Sequence, residues 1–136
     1  MDNMRGFSGF QHTSRILERT LDALGLRHRV TAHNIANVNT PGYQPRQVSF
    51  EESLGQAMRI DAQNRQANVT SVNSATNFRI NIAQQPVTIL RADGNGVDVD
   101  KEMVTIAKTV IAYNAITTLT SRLYSRVRLA VKEGRN

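Results

Sequence analysis

Residues 97–133 contain neither glycine nor proline, and their apolar positions recur in steps of four and three without a break. One stripe runs Val99, Met103, Ile106, Val110, Tyr113, Thr117, Thr120, Tyr124, Val127, Val131. A second runs Ala112, Ile116, Leu119, Leu123, Arg126, Ala130. The spacing predicts one helix over 97–133. With Asp98, Asp100 and Glu102 at its start and Arg126, Arg128 and Lys132 near its end, the charges oppose the helix dipole at both ends. At 1.5 Å per residue such a helix is about 50 Å long, longer than a compact domain of this size is wide. The chain therefore needs a second long element to lie along it.

The N-terminal part supplies one. Leu17, Leu21, Leu24, His28, Thr31, Ile35 and Val38 follow the same four–three spacing, predicting a helix over 14–38 that is shorter than its C-terminal counterpart. Asn34, Asn37 and Asn39 favour a helix end, and Pro41 drives Thr40 into an extended conformation. Thr40-Pro41-Gly42-Tyr43 then reads as a tight turn, proline at its first corner and glycine at its second. The expected fold is mainly α, with two long terminal helices paired as an antiparallel, coiled-coil-like hairpin around a polar, partly extended or β-hairpin middle.

The remaining segments are less patterned. Residues 1–13 read as a flexible N-terminus or a short helix, and 39–48 as a turn followed by extended chain. Ser49-Phe50-Glu51-Glu52 fits a capping box, with Ser49 at the cap and Glu52 reaching back. It opens a short helix over 49–58 whose face is Phe50, Leu54 and Met58. Residues 59–96 read as loop, with a candidate β-hairpin at 78–91 turning at Gln84-Gln85-Pro86. A single domain spans 1–136. Aromatics make up only 5% of the chain and Trp is absent, so the middle has little with which to cover both stripes of the last helix. The uncovered stripe predicts an interface; the competing reading is a self-contained bundle.

Catalytic and metal sites are not legible. There is no cysteine, and His28 and His33 are five apart, off the i, i+4 spacing of a helical metal pair. The segment from Asp93 fails as a calcium loop, with Asp98 where glycine is needed and Val104 where glutamate is needed. Gly94 and Gly96 lack the lysine of a phosphate loop, and Asn68-Val69-Thr70 is a sequon of a kind frequent by chance. No enzyme activity, cofactor or metal is expected. The net charge of +6 raises nucleic acid as a partner, but the basic residues near the C-terminus are interleaved with the apolar seam and lack stacking aromatics, so nucleic acid is not expected. No apolar run reaches the ~20 residues of a membrane span, so direct membrane insertion is not expected. The first twelve residues lack the apolar core of a cleaved secretory signal.

Asn34-Ile35-Ala36-Asn37-Val38-Asn39-Thr40-Pro41-Gly42-Tyr43 resembles the N-terminal motif of bacterial flagellar axial proteins: rod, hook and hook-associated. Gly96-Val97-Asp98-Val99-Asp100-Lys101-Glu102-Met103, with the long helix carrying Tyr113, resembles their C-terminal region. The chain has no room for a large inserted β domain, so the resemblance points to the short proximal rod proteins. Val110-Ile111-Ala112-Tyr113-Asn114-Ala115 departs from the Ala-Ser-Arg-x-Tyr-x-Ala-Asn stretch typical of one of them.

The resemblance implies a structural subunit of the flagellar basal body, exported without a cleaved signal into the periplasm-spanning rod. It would polymerise through its terminal helices and transmit torque. Its partners would be copies of itself, other rod proteins, and the inner-membrane ring and export-gate proteins. Helix pairing and assembly would rest on Leu17, Leu21, Leu24, Ile35, Met103, Ile106, Val110, Tyr113, Ile116, Leu123, Tyr124 and Val127. Asn34, Asn37, Thr40, Pro41, Gly42 and Tyr43 would fix the exit from the first helix and aim the middle segment at a neighbour. Alternatives are a second type of proximal rod protein, a basic coiled-coil adaptor, or a nucleic-acid-binding helical protein.

Overall fold

The computed structural model describes residues 2–66, 74–86 and 91–133. Its elements run α1 (Asp2–Ala36), β1 (Arg46–Ser49), α2 (Glu51–Gln66), a 3-10 turn (Ser74–Asn77), β2 (Asn81–Gln84) and α3 (Val99–Glu133). The fold is mainly α, and the two long terminal helices pack together as the periodicity predicts. They run antiparallel: the Phe10 ring meets Tyr124, Leu24 lies beside Thr109 and Val110, and Asn34 reaches Glu102.

α1 is longer than expected. It begins at Asp2, not near Ser14, so both terminal helices have 35 residues. Two side chains explain the extension. Phe10 packs edge-on against Tyr124 with ring centres 5.4 Å apart, and His12 Nε2 lies 2.8 Å from Asp61 Oδ2 on α2. Both contacts are tertiary and leave no trace in local periodicity. They offset the helix cost of Gly6 and Gly9, which made the segment read as flexible.

The short helix also differs from its expected bounds. α2 starts at Glu51, and Ser49 belongs to β1, opposite Asn81. The backbone carbonyl of Phe50 accepts from Leu54 N at 2.9 Å, so Phe50 occupies the cap. Glu51 folds back to accept from Phe50 N at 3.1 Å, in place of the reciprocal Ser49–Glu52 bonds. The buried stripe is Leu54, Ala57 and Asp61, whereas Met58 is exposed. Asp61 carries the helix past residue 58 by pairing with His12.

The first arm of the expected hairpin at 78–91 makes a longer-range pairing. β2 runs antiparallel to β1, with Arg46 opposite Gln84 and Val48 opposite Ile82. Residues 87–90, the second arm of the expected hairpin, lie outside the described residues, as does the 68–70 sequon. Gln85 N extends the β1–β2 ladder by donating to Pro45 O at 2.8 Å. A two-stranded ribbon is marginal alone; here Val48 seats it on α1. Ala23, Leu24, Val48, Phe50, Ala57 and Phe78 form the small core, flanked by Ile16, Leu26, Val30, Leu54, Ile80, Ala112 and Ile116.

Two arginines of α1 close that core. Arg27 lies 4.7 Å above the Phe50 ring and Arg19 5.3 Å above that of Phe78, while the two rings sit 5.8 Å apart. Arg19 donates to Phe78 O at 3.0 Å. Arg27 donates to Val48 O and grips both carboxylate oxygens of Glu51. The apolar stems and planar heads of arginine thus substitute for missing large hydrophobic residues.

Candidate assembly interface

The exit from α1 and the start of α3 are tied by a buried polar knot. Asn34 is fully buried, and its amide uses all four hydrogen-bonding positions. Nδ2 donates to Arg46 O at 2.7 Å and to Glu102 Oε2 at 3.0 Å. Oδ1 accepts from Arg46 N and from the Tyr43 hydroxyl, each at 3.0 Å. Glu102 is itself buried, and with the Gln85 amide turned so that its nitrogen faces the carboxylate, that nitrogen donates to Oε1 at 2.9 Å. Burial raises the pKa of the Tyr43 phenol against the lowering pull of Arg46, and Glu102 adds to the rise. The hydroxyl therefore stays protonated and remains a donor.

A second layer sits beneath. Asn95 is also fully buried. Its Nδ2 donates to Asn37 O and Thr40 O at 2.9 and 2.6 Å, and its Oδ1 accepts from Val97 N at 2.8 Å. Gly42 N donates to Asp93 O, and Gly96 N to Tyr43 O. Tyr43 N donates to Thr40 O at 3.3 Å, closing the expected turn, and Gly42 has the positive φ of 70° that its second corner requires. Asp98 caps α3 by accepting from Lys101 N at 3.1 Å. The structure thus brings Asn34, Asn37, Thr40, Gly42 and Tyr43 together with residues 93–102.

The seam between α1 and α3 is turned from its expected position. The sheltered face of α3 runs Glu102, Ile106, Thr109, Ala112, Ile116, Thr120, Leu123, Val127, between the two stripes. Of the expected pairing residues, Leu24 is buried, while Leu17, Leu21, Ile35, Ile106, Ile116, Leu123 and Val127 are half-buried. Met103, Val110, Tyr113 and Tyr124 are exposed, Met103 by 55%. Val110 and Tyr113 instead wall an apolar groove of about 220 Å³ with Leu24, Gly25, His28 and Thr109. Threonine explains the turn. Thr109 and Thr120 donate to the carbonyls four residues back, at 2.7 and 2.8 Å, so their hydroxyls are satisfied within α3 and their methyl groups suit the seam.

Because the seam lies between the stripes, α3 keeps large apolar side chains exposed on both sides. Val99, Met103, Val110, Tyr113 and Tyr124 occupy one flank; Val104, Ile111, Leu119 and Leu129 lie beyond the other. Ile111 is 69% exposed and Leu119 50%. No group of three or more potential metal ligands occurs among the described residues, and no described helix is long and apolar enough to cross a membrane.

The N-terminal motif and most of the chain match known proteins. A family model for the flagella basal body rod protein matches residues 15–44, the second half of α1 through Tyr43 and Gln44. The flagellar basal body rod protein FlgB of Bacillus subtilis is 34% identical over 108 residues, covering 79% of this chain and 83% of that protein. The chain belongs to the FlgB family of flagellar basal body rod proteins. The Borrelia hermsii FlgB is 29% identical across 90% of this chain and 98% of its own length. The Salmonella typhimurium FlgB is 29% identical across 80% and 86%. Membership makes this a structural rod protein of the flagellar basal body.

The family match ends at Gln44, just past the turn, and so includes Asn34 and Tyr43 of the knot. Glu102 and Asn95, the partners of Asn34 and of the turn, were missed as functional residues. Glu102 read as a dipole-complementing acid, and only its position inside the C-terminal resemblance hinted at more; Asn95 read as a loop residue just before it.

Proposed function

We propose that this FlgB-family chain is a proximal rod subunit that polymerises by packing the exposed apolar flanks of α3 onto neighbouring subunits. The observation that carries this is the exposure of Met103, Val110 and Tyr113 on one flank and Ile111 and Leu119 beyond the other, on a helix whose seam face is already occupied. Apolar surface of that extent is a feature of interfaces. The two flanks differ in composition, which suits the heterologous contacts of an open helical assembly. In this reading the subunit reaches the rod without a cleaved signal. It joins the rod to inner-membrane ring and export-gate proteins and transmits torque through paired helices braced by the knot.

The test is incorporation of full-length variants into basal bodies of flagellated cells lacking the native copy. Ile111→Asp with Leu119→Asp should leave the circular dichroism and melting of the isolated chain unchanged yet block incorporation. Incorporation at the wild-type level would refute the flank assignment.

A further inference from the structure

Beside the knot, α1, β1, α3 and Gln85 enclose a second, polar pocket of about 230 Å³. Four basic side chains line it: Arg27, Arg46, Lys101 and Lys108. They come from three different elements, α1, β1 and α3, so their convergence is a product of the fold and not of a charged run. Two carboxylates oppose them. Glu51 is held by Arg27 outside the pocket, and Glu102 is buried at its wall, engaged by Asn34 and Gln85. The pocket thus keeps an excess of two positive charges. Among the described residues no ion pair forms to Arg46, Lys101 or Lys108; Lys101 Nζ reaches only the Gln85 amide oxygen, at 3.1 Å.

Like charges held together in a concave site repel one another and concentrate positive potential, and an anionic group placed between them relieves both effects. Lys101 and Lys108 lie two turns apart on α3, and Arg46 faces them from β1, a spacing suited to a side-chain carboxylate entering from outside.

We infer that Arg46, Lys101 and Lys108 form a docking pocket for a carboxylate side chain presented by a neighbouring rod subunit. The inference rests on the rod reading above and gives one of its contacts a chemistry. It places a polar, orientation-setting contact beside the apolar flanks. Charge pairing of this kind fixes register and rejects wrong neighbours more than it adds affinity.

The experiment places a photocrosslinking benzoyl-phenylalanine at position 108 of the full chain in flagellated cells, and maps the product in purified basal bodies. In parallel it measures incorporation of Arg46→Gln with Lys108→Gln, and of Lys108→Glu. Both substituted positions are exposed in the isolated chain, so melting of the purified variants should match wild type. The expected result is a crosslink to a rod subunit within a few residues of an Asp or Glu. Incorporation of Lys108→Glu should fall at least tenfold, with recovery when the mapped acid is changed to Lys. Crosslinks only to lipid or nucleic acid, or wild-type incorporation of both charge variants, would overturn the pocket assignment while leaving the rod reading standing. Failure of the wild-type chain itself to enter basal bodies would instead overturn the rod reading.

Discussion

Asn34 Nδ2 donates to Glu102 Oε2 at 3.0 Å, and both side chains are buried. The bond spans 68 positions and joins the last turn of α1 to the first turn of α3. It pins the C-terminal end of α1 to the N-terminal end of α3, two helices each about 52 Å long.

Replacing Asn34 with Ala leaves the Arg46 N–H and C=O and one oxygen of Glu102 short of a partner, while the Tyr43 hydroxyl keeps His33 Nδ1 at 2.9 Å. Each buried polar group stranded in this way costs about 1–3 kcal/mol. The expected loss is about 3 kcal/mol or more, read from urea unfolding of the purified chain. A loss below about 1 kcal/mol would mean that water replaces the amide and that the knot does not hold the helices.

Gly42 sits at φ 70°, where a side chain is strained even though the space a Cβ would occupy is open, with nothing within 4 Å. Gly42→Val should therefore cost about 1–2 kcal/mol through the backbone alone. The variant should fold with the same circular dichroism spectrum and a lower denaturation midpoint. An unchanged midpoint would show that the turn relaxes out of the left-handed region.

Ile116 and Ile111 lie five residues apart on α3 but on different faces: Ile116 packs against the core, and Ile111 is the most exposed large apolar residue described. Ile116→Asp should destabilise the isolated chain by several kcal/mol, in the range for a buried, unpaired charge. Ile111→Asp should change it by no more than about 0.5 kcal/mol. Equal effects in thermal melts would place the seam elsewhere.

Glu51 gives a pH dependence with a defined sign. Burial pushes its carboxyl up, but the Arg27 hydrogen bond, the Phe50 and Glu51 backbone amides and the Arg27 charge together hold it below 4.5, its ordinary value. A carboxyl with a lowered folded-state pKa contributes stability above its unfolded value, and that contribution fades as pH falls through the folded one. Wild type should therefore exceed Glu51→Gln in stability at neutral pH, and the gap should shrink below about pH 4.5. A gap that widens in acid would contradict the Arg27–Glu51 pairing.

The sequence made the long helices and the turn legible and left their mutual arrangement hidden, for physical reasons visible in particular residues. The four–three spacing of α3 survives because helix geometry is local. Its seam face was ambiguous because two apolar stripes competed, and Thr109 and Thr120 look polar in sequence yet present methyl groups once their hydroxyls bond back to α3. The pairing of Val48 with Ile82 and the His12–Asp61 contact join residues 34 and 49 positions apart, beyond any local period. Glu102 was visible as an acid at a helix start; that it is buried beneath Asn34 depends on the tertiary fold. The helix stop and turn of Asn34–Tyr43 were read from residue chemistry and their role from resemblance, and their hydrogen bonds give that resemblance a physical basis.

Because the chain has no cysteine, a single cysteine reports on one site without interference. The most direct test of the account is the maleimide labelling rate of Ile111→Cys in the isolated chain and in purified basal bodies. Fast labelling of the free chain and strong protection in the basal body are expected if the far flank of α3 is covered by a neighbouring subunit. Equally fast labelling in both states would show that this flank stays open in the rod, and would contradict the assembly mode proposed.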